Sequence, residues 1–243
     1  MRLTLLLIFL SFFAKAQMDT AITVPLLGIH FGGQLPFGDM AKRFGANLQA
    51  GGSFFIKTKK NWIYGIDVFY IFGRNVKEDV TKQLKNSEGH ITDNEGYPAD
   101  LRITERGLGA HAHFGRIFNF DKALPNSGIL VMVGVGYLQH KINLYDAQNR
   151  IAAINGDLEK GYDRLSGGIS YSQFLGYLHI SQNRFLNFYA GIEAHETMAK
   201  SFRKVNYDTG LPDTKQRMDG LLGLRLGWIL PLYKKKPNDY YYN

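Results

Sequence analysis

Large apolar side chains alternate with small or polar ones along residues 62–73. Counted in steps of two, one face carries Trp62, Tyr64, Ile66, Val68, Tyr70 and Phe72, and the other carries Ile63, Gly65, Asp67, Phe69, Ile71 and Gly73. Successive side chains of a β-strand point to opposite faces of its sheet. The pattern therefore predicts a strand with one bulky apolar face and one small, mixed face that holds a charge.

The same alternation recurs along the chain and predicts eight strands. They span 23–34, 46–57, 61–73, 102–117, 128–142, 164–179, 184–197 and 217–233. The connections alternate between short ones (57–61, 119–127, 181–184) and long ones (34–45, 74–101, 143–163, 198–216), with a short helix predicted at 39–43. This arrangement is typical of an all-β, eight-stranded antiparallel up-and-down transmembrane barrel, with short periplasmic turns and long extracellular loops.

The two faces of the strands predict what meets lipid and what fills the lumen. Trp62 and Tyr64 on the third strand, and Leu224 and Trp228 on the eighth, are predicted to face lipid. Charged residues share the glycine-rich face, whereas a soluble barrel such as a lipocalin would place its apolar face inside. The fifth and sixth strands are ambiguous: residues 129–135 are apolar on both faces, and the break in alternation at 172–174 predicts a bulge in the sixth.

The N-terminus predicts export. Arg2 precedes an apolar run at 3–13, and Ala14-Lys15-Ala16 has the small-x-small pattern of a cleavage site. The run is too short to span a bilayer as a helix. We therefore expect a Sec signal peptide at 1–16, a barrel at 17–233 in the outer membrane, and a short periplasmic tail at 234–243.

Composition removes several classes of function. The chain has no cysteine, which excludes disulfides, thiol catalysis and thiolate metal sites. The formal net charge of +8 does not indicate nucleic-acid binding, because an exported protein rarely meets nucleic acid. The compact basic groups at 57–60 and 234–236 fall at strand ends, where we expect them to contact lipid phosphates and solvent.

Four segments resemble the small outer-membrane β-barrel proteins of Bacteroidota. They are GVGYLQHKI at 134–142, KGYDRLSGG at 160–168, NFYAGIE at 187–193 and GLRLGWILPLY at 223–233. The resemblance covers nearly all of the chain after residue 16 and extends to the OmpA-type and PorT-like barrels. It implies an outer-membrane scaffold, and some members of that grouping serve secretion or envelope-assembly machines.

No arrangement of histidines indicates an enzyme. A lipid-modifying barrel needs a Ser–His nucleophile system near its outer rim, and no such pairing falls on a strand. His30, His111, His113 and His195 share the inward face and could converge on a metal. We interpret them instead as luminal residues bonded to carboxylates and water, and predict no catalytic residue, no metal and no cofactor.

A luminal charge network is the nearest thing to a site. Glu193 and Arg225 lie on neighbouring strands, point inward and fall at matching depths, with His30, Asp67 and His111 at similar depth. Isolated charges in so narrow a lumen would be costly, so we expect them to pair. Two interpretations stay open: a plug that rigidifies the barrel, or a gate that opens when the Glu193–Arg225 pair breaks.

The function that follows is a non-enzymatic structural or accessory barrel that binds a partner within an envelope assembly or secretion complex. A small-solute pore is the alternative, although an eight-stranded interior is just wide enough for side chains to fill. A lipid-modifying enzyme is a weaker alternative. The expected partners are outer-membrane lipid, lipopolysaccharide and a protein of the envelope, and not nucleic acid.

Overall fold

Eight strands close into a single barrel in the computed structural model, which describes residues 20–181 and 185–233. They are β1 (Val24–Gly38), β2 (Asn47–Lys57), β3 (Trp62–Gly73), β4 (Leu101–Phe118), β5 (Gly128–Asp146), β6 (Ser166–His179), β7 (Phe188–Ser201) and β8 (Arg217–Pro231). Each strand pairs antiparallel with its neighbours in sequence, and β1 pairs with β8. The predicted eight-stranded up-and-down barrel is confirmed. The predicted signal peptide (1–16) and tail (234–243) lie outside the described residues.

Within residues 20–181 and 185–233, helical structure is confined to the connections. A short helix, α1 (Met40–Arg43), follows β1 where the sequence predicts one, and three 3-10 turns occupy the long loops at Lys82–Leu84, Ala152–Ile154 and Gly156–Gly161. Among the described residues, no helix is long and apolar enough to cross a membrane.

The outer face of the barrel is apolar and the inner face is buried. On β8, Leu222, Leu224 and Leu226 are exposed, whereas Arg225 between them and Asp219 before them are buried. The same alternation runs through all eight strands, with exposed Leu, Ile, Val, Phe and Tyr outside. Such an apolar belt around buried polar groups is the surface of a transmembrane barrel and the reverse of a soluble one.

Two arginines of β4, Arg106 and Arg116, bound the apolar belt, because the outward residues between them are Leu108, Ala110, Ala112 and Phe114. Following the pairing from Leu224 through β1, β2 and β3 leads to Arg106 on β4, and following it through β7, β6 and β5 leads to Arg116. Because β4 and β8 lie opposite each other, Leu224 is level with the midpoint between the two arginines. The ten residue steps from Arg106 to Arg116, on a strand tilted by about 35–45°, span a height of ~24–28 Å, close to the ~25 Å apolar band of such barrels.

Glycines on the inner face make room for luminal rings. A Cβ at Gly109 would overlap the Phe69 ring, and one at Gly227 would overlap the Tyr189 ring. The small face in the sequence is therefore not an empty lumen, because aromatic residues from neighbouring strands fill the space that the glycines leave.

The bulge predicted at 172–174 is wrong. Ser172, Gln173 and Phe174 pair without interruption with both β5 and β7. The strand alternates without interruption, but the polar and apolar residues exchange faces here: Phe174 points into the lumen and Gln173 lies on the outer face. Phe174 packs edge-on against Tyr189, with ring centroids 5.6 Å apart. This aromatic contact stabilises Phe174 inside the barrel.

Several strands extend beyond their predicted ends on the long-loop side. β1 runs to Gly38 and β5 to Asp146, because backbone pairing continues to Gly38–Asp219 and Leu101–Asp146. β7 begins at Phe188, four residues later than the predicted start at 184. Backbone pairing, unlike hydrophobic alternation, does not stop at the edge of the apolar belt.

Two apolar clusters fill the lumen on either side of a polar layer. The lower cluster contains Leu26, Phe55, Leu130, Met132, Phe174, Tyr189 and others from the short-turn half. The upper cluster contains Met40 and Phe44 from around α1, Phe69, Ile71, Val80 and residues of the 147–165 loop. The division of the lumen into two apolar clusters was not predicted, since the sequence suggested only a small, mixed inner face.

Lys57 corrects the expectation for the basic group at 57–60. It is the last residue of β2, continues the inward face of that strand and is fully buried. Its Nζ donates to Asn126 Oδ1 at 2.9 Å and lies 3.3 Å from the Ile22 carbonyl oxygen. Lys57 therefore closes the short-turn end of the lumen and does not contact lipid phosphates.

Candidate functional site: the charged layer of the lumen

Arg225 lies at the centre of the polar layer and is completely buried. Its Nη1 lies 2.5 Å from Glu193 Oε1, and its Nη2 lies 2.8 Å from Asp67 Oδ2. Nη2 also donates to His30 Nδ1 at 3.0 Å, and Nε donates to the Tyr189 hydroxyl at 3.1 Å. Every nitrogen of the guanidinium thus has a partner from another strand, which fixes its position.

The two carboxylates are held from their other sides as well. Gln49 Nε2 donates to Glu193 Oε2 at 2.6 Å, and His195 Nε2 lies 3.3 Å from the same oxygen. His113 Nε2 lies 2.9 Å from Asp67 Oδ1. The layer therefore joins β1, β2, β3, β4, β7 and β8 across the lumen by charge-assisted contacts.

The structure brings four of the five predicted network residues together through Arg225. Glu193, Asp67 and His30 contact its guanidinium directly. His111 lies beside them without a hydrogen bond to either ring nitrogen among the described residues. Its ring instead stacks on Phe69 and on His195, with centroids 5.5 and 5.1 Å away.

Gln49 and Tyr189 are members that the network prediction left out. Both lie on the inward faces of their strands, but an amide and a phenol carry no charge that marks them as partners. The available signal was position, since Gln49 and Gly32 are direct neighbours, and Gly32 in turn faces Arg225. Using this signal would have required the pairing register of β1 with β2 and β8 to be known within one or two residues.

The layer has more carboxylates than cations. Asp67 and Glu193 face one guanidinium, and the nearby His30, His111, His113 and His195 carry charge only when protonated. All of these side chains are nearly or completely buried. With neutral histidines the layer would hold one excess negative charge at the middle of the membrane, so Arg225 is the group on which its balance depends.

A second polar layer lies nearer the long loops. His140 Nε2 lies 2.8 Å from Asp219 Oδ2, and the imidazole packs edge-on against Phe44 at 5.4 Å. Asn47 Nδ2 donates to both oxygens of Glu105, at 3.1 and 3.2 Å. This layer and the upper apolar cluster stand between the charged layer and the loops.

The long loops are clamped to one another above the barrel. Arg164 Nε lies 2.8 Å from Glu78 Oε1, and its two terminal nitrogens donate to Asp208 at 2.8 and 2.5 Å. Burial alone would lower the pKa of Arg164, but these two carboxylates raise it above its ordinary value. Arg164 has a φ of 51°, a costly conformation for a non-glycine residue that the clamp maintains.

The inward histidines do not form a clear metal centre. Asp67, His111 and His113 have ligand atoms that all lie within 4.8 Å of one another. A tetrahedral site needs such atoms about 2 Å from a common centre, and Asp67 is already shared between His113 and the Arg225 guanidinium. A divalent cation here would sit against a fixed positive charge, so the donor set does not fit one.

Catalytic chemistry has little support from the same residues. Asp67, His113 and Ser172 come near a Ser–His–Asp constellation in the lumen, but Ser172 Oγ and His113 Nδ1 have no hydrogen-bond partner among the described residues. All three side chains are at most 5% exposed. A nucleophile needs both an aligned base and access to substrate, and this arrangement offers neither.

The residues predicted to face lipid lie on the outer surface. Tyr64, Leu224 and Trp228 are 43%, 65% and 40% exposed. Trp62 stacks on Phe114, and the Arg116 guanidinium lies over its ring at 5.1 Å. Both tryptophans of the chain are therefore near the short-turn end of the belt, a position typical of the aromatic girdle of membrane barrels.

Several solved structures align with most of this chain at low sequence identity. The attachment invasion locus protein Ail of Yersinia pestis, solved in complex with the heparin analogue sucrose octasulfate, is 11% identical, with a TM-score of 0.44 over 86% of this chain and 99% of that one. Neisserial surface protein A is 12% identical, with a TM-score of 0.39 over 88% and 99%. The N-terminal β-barrel domain of OprF from Pseudomonas aeruginosa is 12% identical, with a TM-score of 0.37 over 84% and 97%.

No protein-family model matches the chain, and no curated protein matches it in sequence. The neighbours named above are small outer-membrane β-barrel proteins, and none of these findings tests a Bacteroidota or PorT-like grouping.

Proposed function

We propose that this protein is a non-conducting, non-enzymatic barrel of the outer membrane that acts as a structural or accessory subunit. The filled lumen is the observation that carries this proposal. A fully buried Arg225 with four partners crosses the middle of the barrel, and apolar clusters pack above and below it. A solute would have to break the ion pairs and displace both clusters.

The location in the outer membrane is supported by the apolar belt and by the asymmetry of the connections. Loops at 74–100, 147–165 and 202–216 lie at one end, and shorter connections lie at the other. In outer-membrane barrels the short turns are periplasmic and the long loops extracellular. The signal peptide predicted at 1–16 is consistent with export of the chain to the outer membrane.

The clamped loops are the part that we propose to bind a protein partner of the envelope. Ion pairs between Arg164, Glu78 and Asp208 join three loops into one cap, and a preorganised surface loses less entropy on binding than a mobile one. Apolar side chains remain exposed on it, including Tyr97 at 66% and Leu211 at 65%. A partner that covers them would gain from burying apolar area.

Two experiments test this function. In liposome swelling, we expect no solute-dependent leakage, and leakage graded by solute size would instead establish a pore. In affinity purification from detergent-solubilised envelopes, the wild-type chain should retain a protein that a loop-cap variant, Leu211→Asp together with Tyr97→Asp, loses. Identical co-purification by both forms would contradict the role of the cap.

A further inference from the structure

Three arginines gather around one cavity at the long-loop end of the apolar belt. The cavity has a volume of about 540 Å³ and is lined by Leu48, Phe72, Arg74, Arg102, Thr104 and Arg106 among others. It forms where β4 continues past the ends of β2 and β3 on the outer surface, because β3 ends at Gly73 opposite Glu105.

These arginines differ from the other arginines that the structure describes. Arg43, Arg150, Arg164, Arg203, Arg217 and Arg225 each have a carboxylate within ion-pair distance. Arg116 lies over the rings of Trp62 and Phe118. Arg74, Arg102 and Arg106 have no ion pair within the described residues, and all three face the same cavity. Like charges gathered without a counter-ion indicate a place for an anion.

The carboxylate that lies between two of these arginines in sequence does not pair with them. Glu105 lies between Arg102 and Arg106 in sequence, but alternation sends it to the inner face, where Asn47 Nδ2 donates to both of its oxygens. It is fully buried. Arg106 also faces Lys141 on β5, whose Nζ is 3.1 Å from Glu159. Glu159 therefore neutralises the cation on β5, and the unbalanced positive charge at this point of the outer surface belongs to the arginines.

The height of the cluster identifies the kind of anion. Arg106 marks the upper edge of the belt, a level where lipid headgroups meet acyl chains, and Arg116 marks the lower edge on the same strand. Directly below Arg106 the outer face turns apolar, with Leu108 45% exposed and Leu48 41% exposed. A ligand at this place would meet guanidinium groups with its head and apolar side chains with its tail.

We propose that Arg74, Arg102 and Arg106 form a binding site for the phosphate of an anionic membrane lipid, with an acyl chain along Leu48 and Phe72. Guanidinium groups bind phosphate oxygens in bidentate fashion, and weak hydration makes Arg the favoured residue for this contact. The site deepens the proposed function by assigning residues to lipid recognition. It rests on the membrane location proposed above.

The test uses the purified full-length barrel in detergent and measures binding of defined lipids by native mass spectrometry. The first probe is bisphosphorylated lipid A, and the matched probe is the same lipid without phosphates. We expect the phosphorylated form to bind at least about 10-fold more tightly, a difference of about 1.4 kcal/mol. Equal binding of the two lipids would overturn the proposal, and this arm needs no variant to fold.

Variants then locate the site. Arg102→Gln together with Arg106→Gln should lower the affinity for the phosphorylated lipid by at least about 10-fold. Arg116→Gln, at the other edge of the belt on the same strand, is the matched control and should leave it unchanged. Loss of binding in the control to the same degree, or none in the double variant, would overturn the assignment.

Two further arms separate the source of the phosphate and the underlying function. Phosphatidylglycerol that binds in an Arg102- and Arg106-dependent way would still support a lipid-phosphate site. If inorganic phosphate at equal concentration displaces the lipid, the site is for a free anion and the proposal fails. Cell fractionation tests the membrane location independently, so each idea can fail while the other stands.

Discussion

Arg225→Gln should damage the barrel more than Glu193→Gln, because the two changes shift the charge of the luminal layer in opposite directions. The layer holds Asp67 and Glu193 against one guanidinium. Removing Arg225 leaves two buried carboxylates without a cation. Removing the charge of Glu193 leaves Asp67 and Arg225, which balance each other.

The expected magnitudes follow from this count. Breaking a buried ion pair by removing one partner costs ~3–5 kcal/mol. Arg225→Gln belongs at the upper end, since Arg225 is fully buried and also loses its bonds to His30 and Tyr189. Glu193→Gln belongs at or below the lower end, since a glutamine oxygen can still accept from Arg225 Nη1. Their coupling energy should be about 1.5–3 kcal/mol.

Unfolding can be followed by tryptophan fluorescence in lipid vesicles titrated with urea. Both tryptophans, Trp62 and Trp228, lie on the outer face, so their emission reports loss of contact with lipid and not events in the lumen. The four forms of a double-mutant cycle give the coupling energy directly. Arg225→Gln with Lys57→Gln is the control, because Lys57 is about 27 Å along β2 from Gln49, and the two effects should add within ~0.5 kcal/mol.

Two results would refute the reasoning. A coupling energy near zero between Glu193 and Arg225 would mean that the ion pair contributes nothing, as expected for a lumen filled with water. A larger loss for Glu193→Gln than for Arg225→Gln would mean that the charge count is wrong, for example because a histidine of the layer is protonated.

Three further predictions concern the loops. A tag inserted in the 74–100 loop should be labelled on intact cells while a tag after the C-terminus is protected, and the opposite labelling would invert the orientation. Arg164→Gln should cost about 1.5–3 kcal/mol of local opening free energy, measured as faster amide exchange in the loops with the strands unchanged; unchanged loops would rule out the clamp. Burial raises the pKa of Asp213, but the hydrogen bond from Arg217 and its charge lower it more, to a value below the ordinary 3.8. The stabilisation from that pair should therefore be complete above about pH 4, where Asp213 of the unfolded chain is also ionised. It should be lost only as the pH falls through the lower pKa of the folded state. Amide exchange in the loop that already becomes faster when the pH is lowered to about 6 would contradict this prediction.

The alternation of side chains was enough to predict the barrel. Every second residue of a membrane-spanning strand faces lipid and is apolar. The alternating apolar residues Leu222, Leu224, Leu226 and Trp228 therefore show which face of β8 points outward. The same logic placed Glu193 and Arg225 on neighbouring inward faces. Alternation does not distinguish one inward polar residue from another. Gln49 was therefore missed as the partner of Glu193.

The internal apolar packing could not be read from the same pattern. Leu130 and Met132 are apolar like the lipid-facing residues beside them, so a period of two carries no signal where both faces are apolar. The cap of the lumen depends on tertiary contacts of loops, such as those that bring Ile151 into the upper cluster. Lys57 was misjudged because its charge suggested the surface, although its position in β2 pointed inward.

Leu224→Arg compared with Leu211→Arg is the measurement that tests the membrane barrel most directly. Both leucines are 65% exposed, but Leu224 lies at the middle of the apolar belt and Leu211 lies in the 202–216 loop. Unfolding free energies in lipid bilayers should fall by ~2–4 kcal/mol for Leu224→Arg and by no more than about 0.5 kcal/mol for Leu211→Arg. Equal, small effects at both positions would contradict a belt that faces lipid.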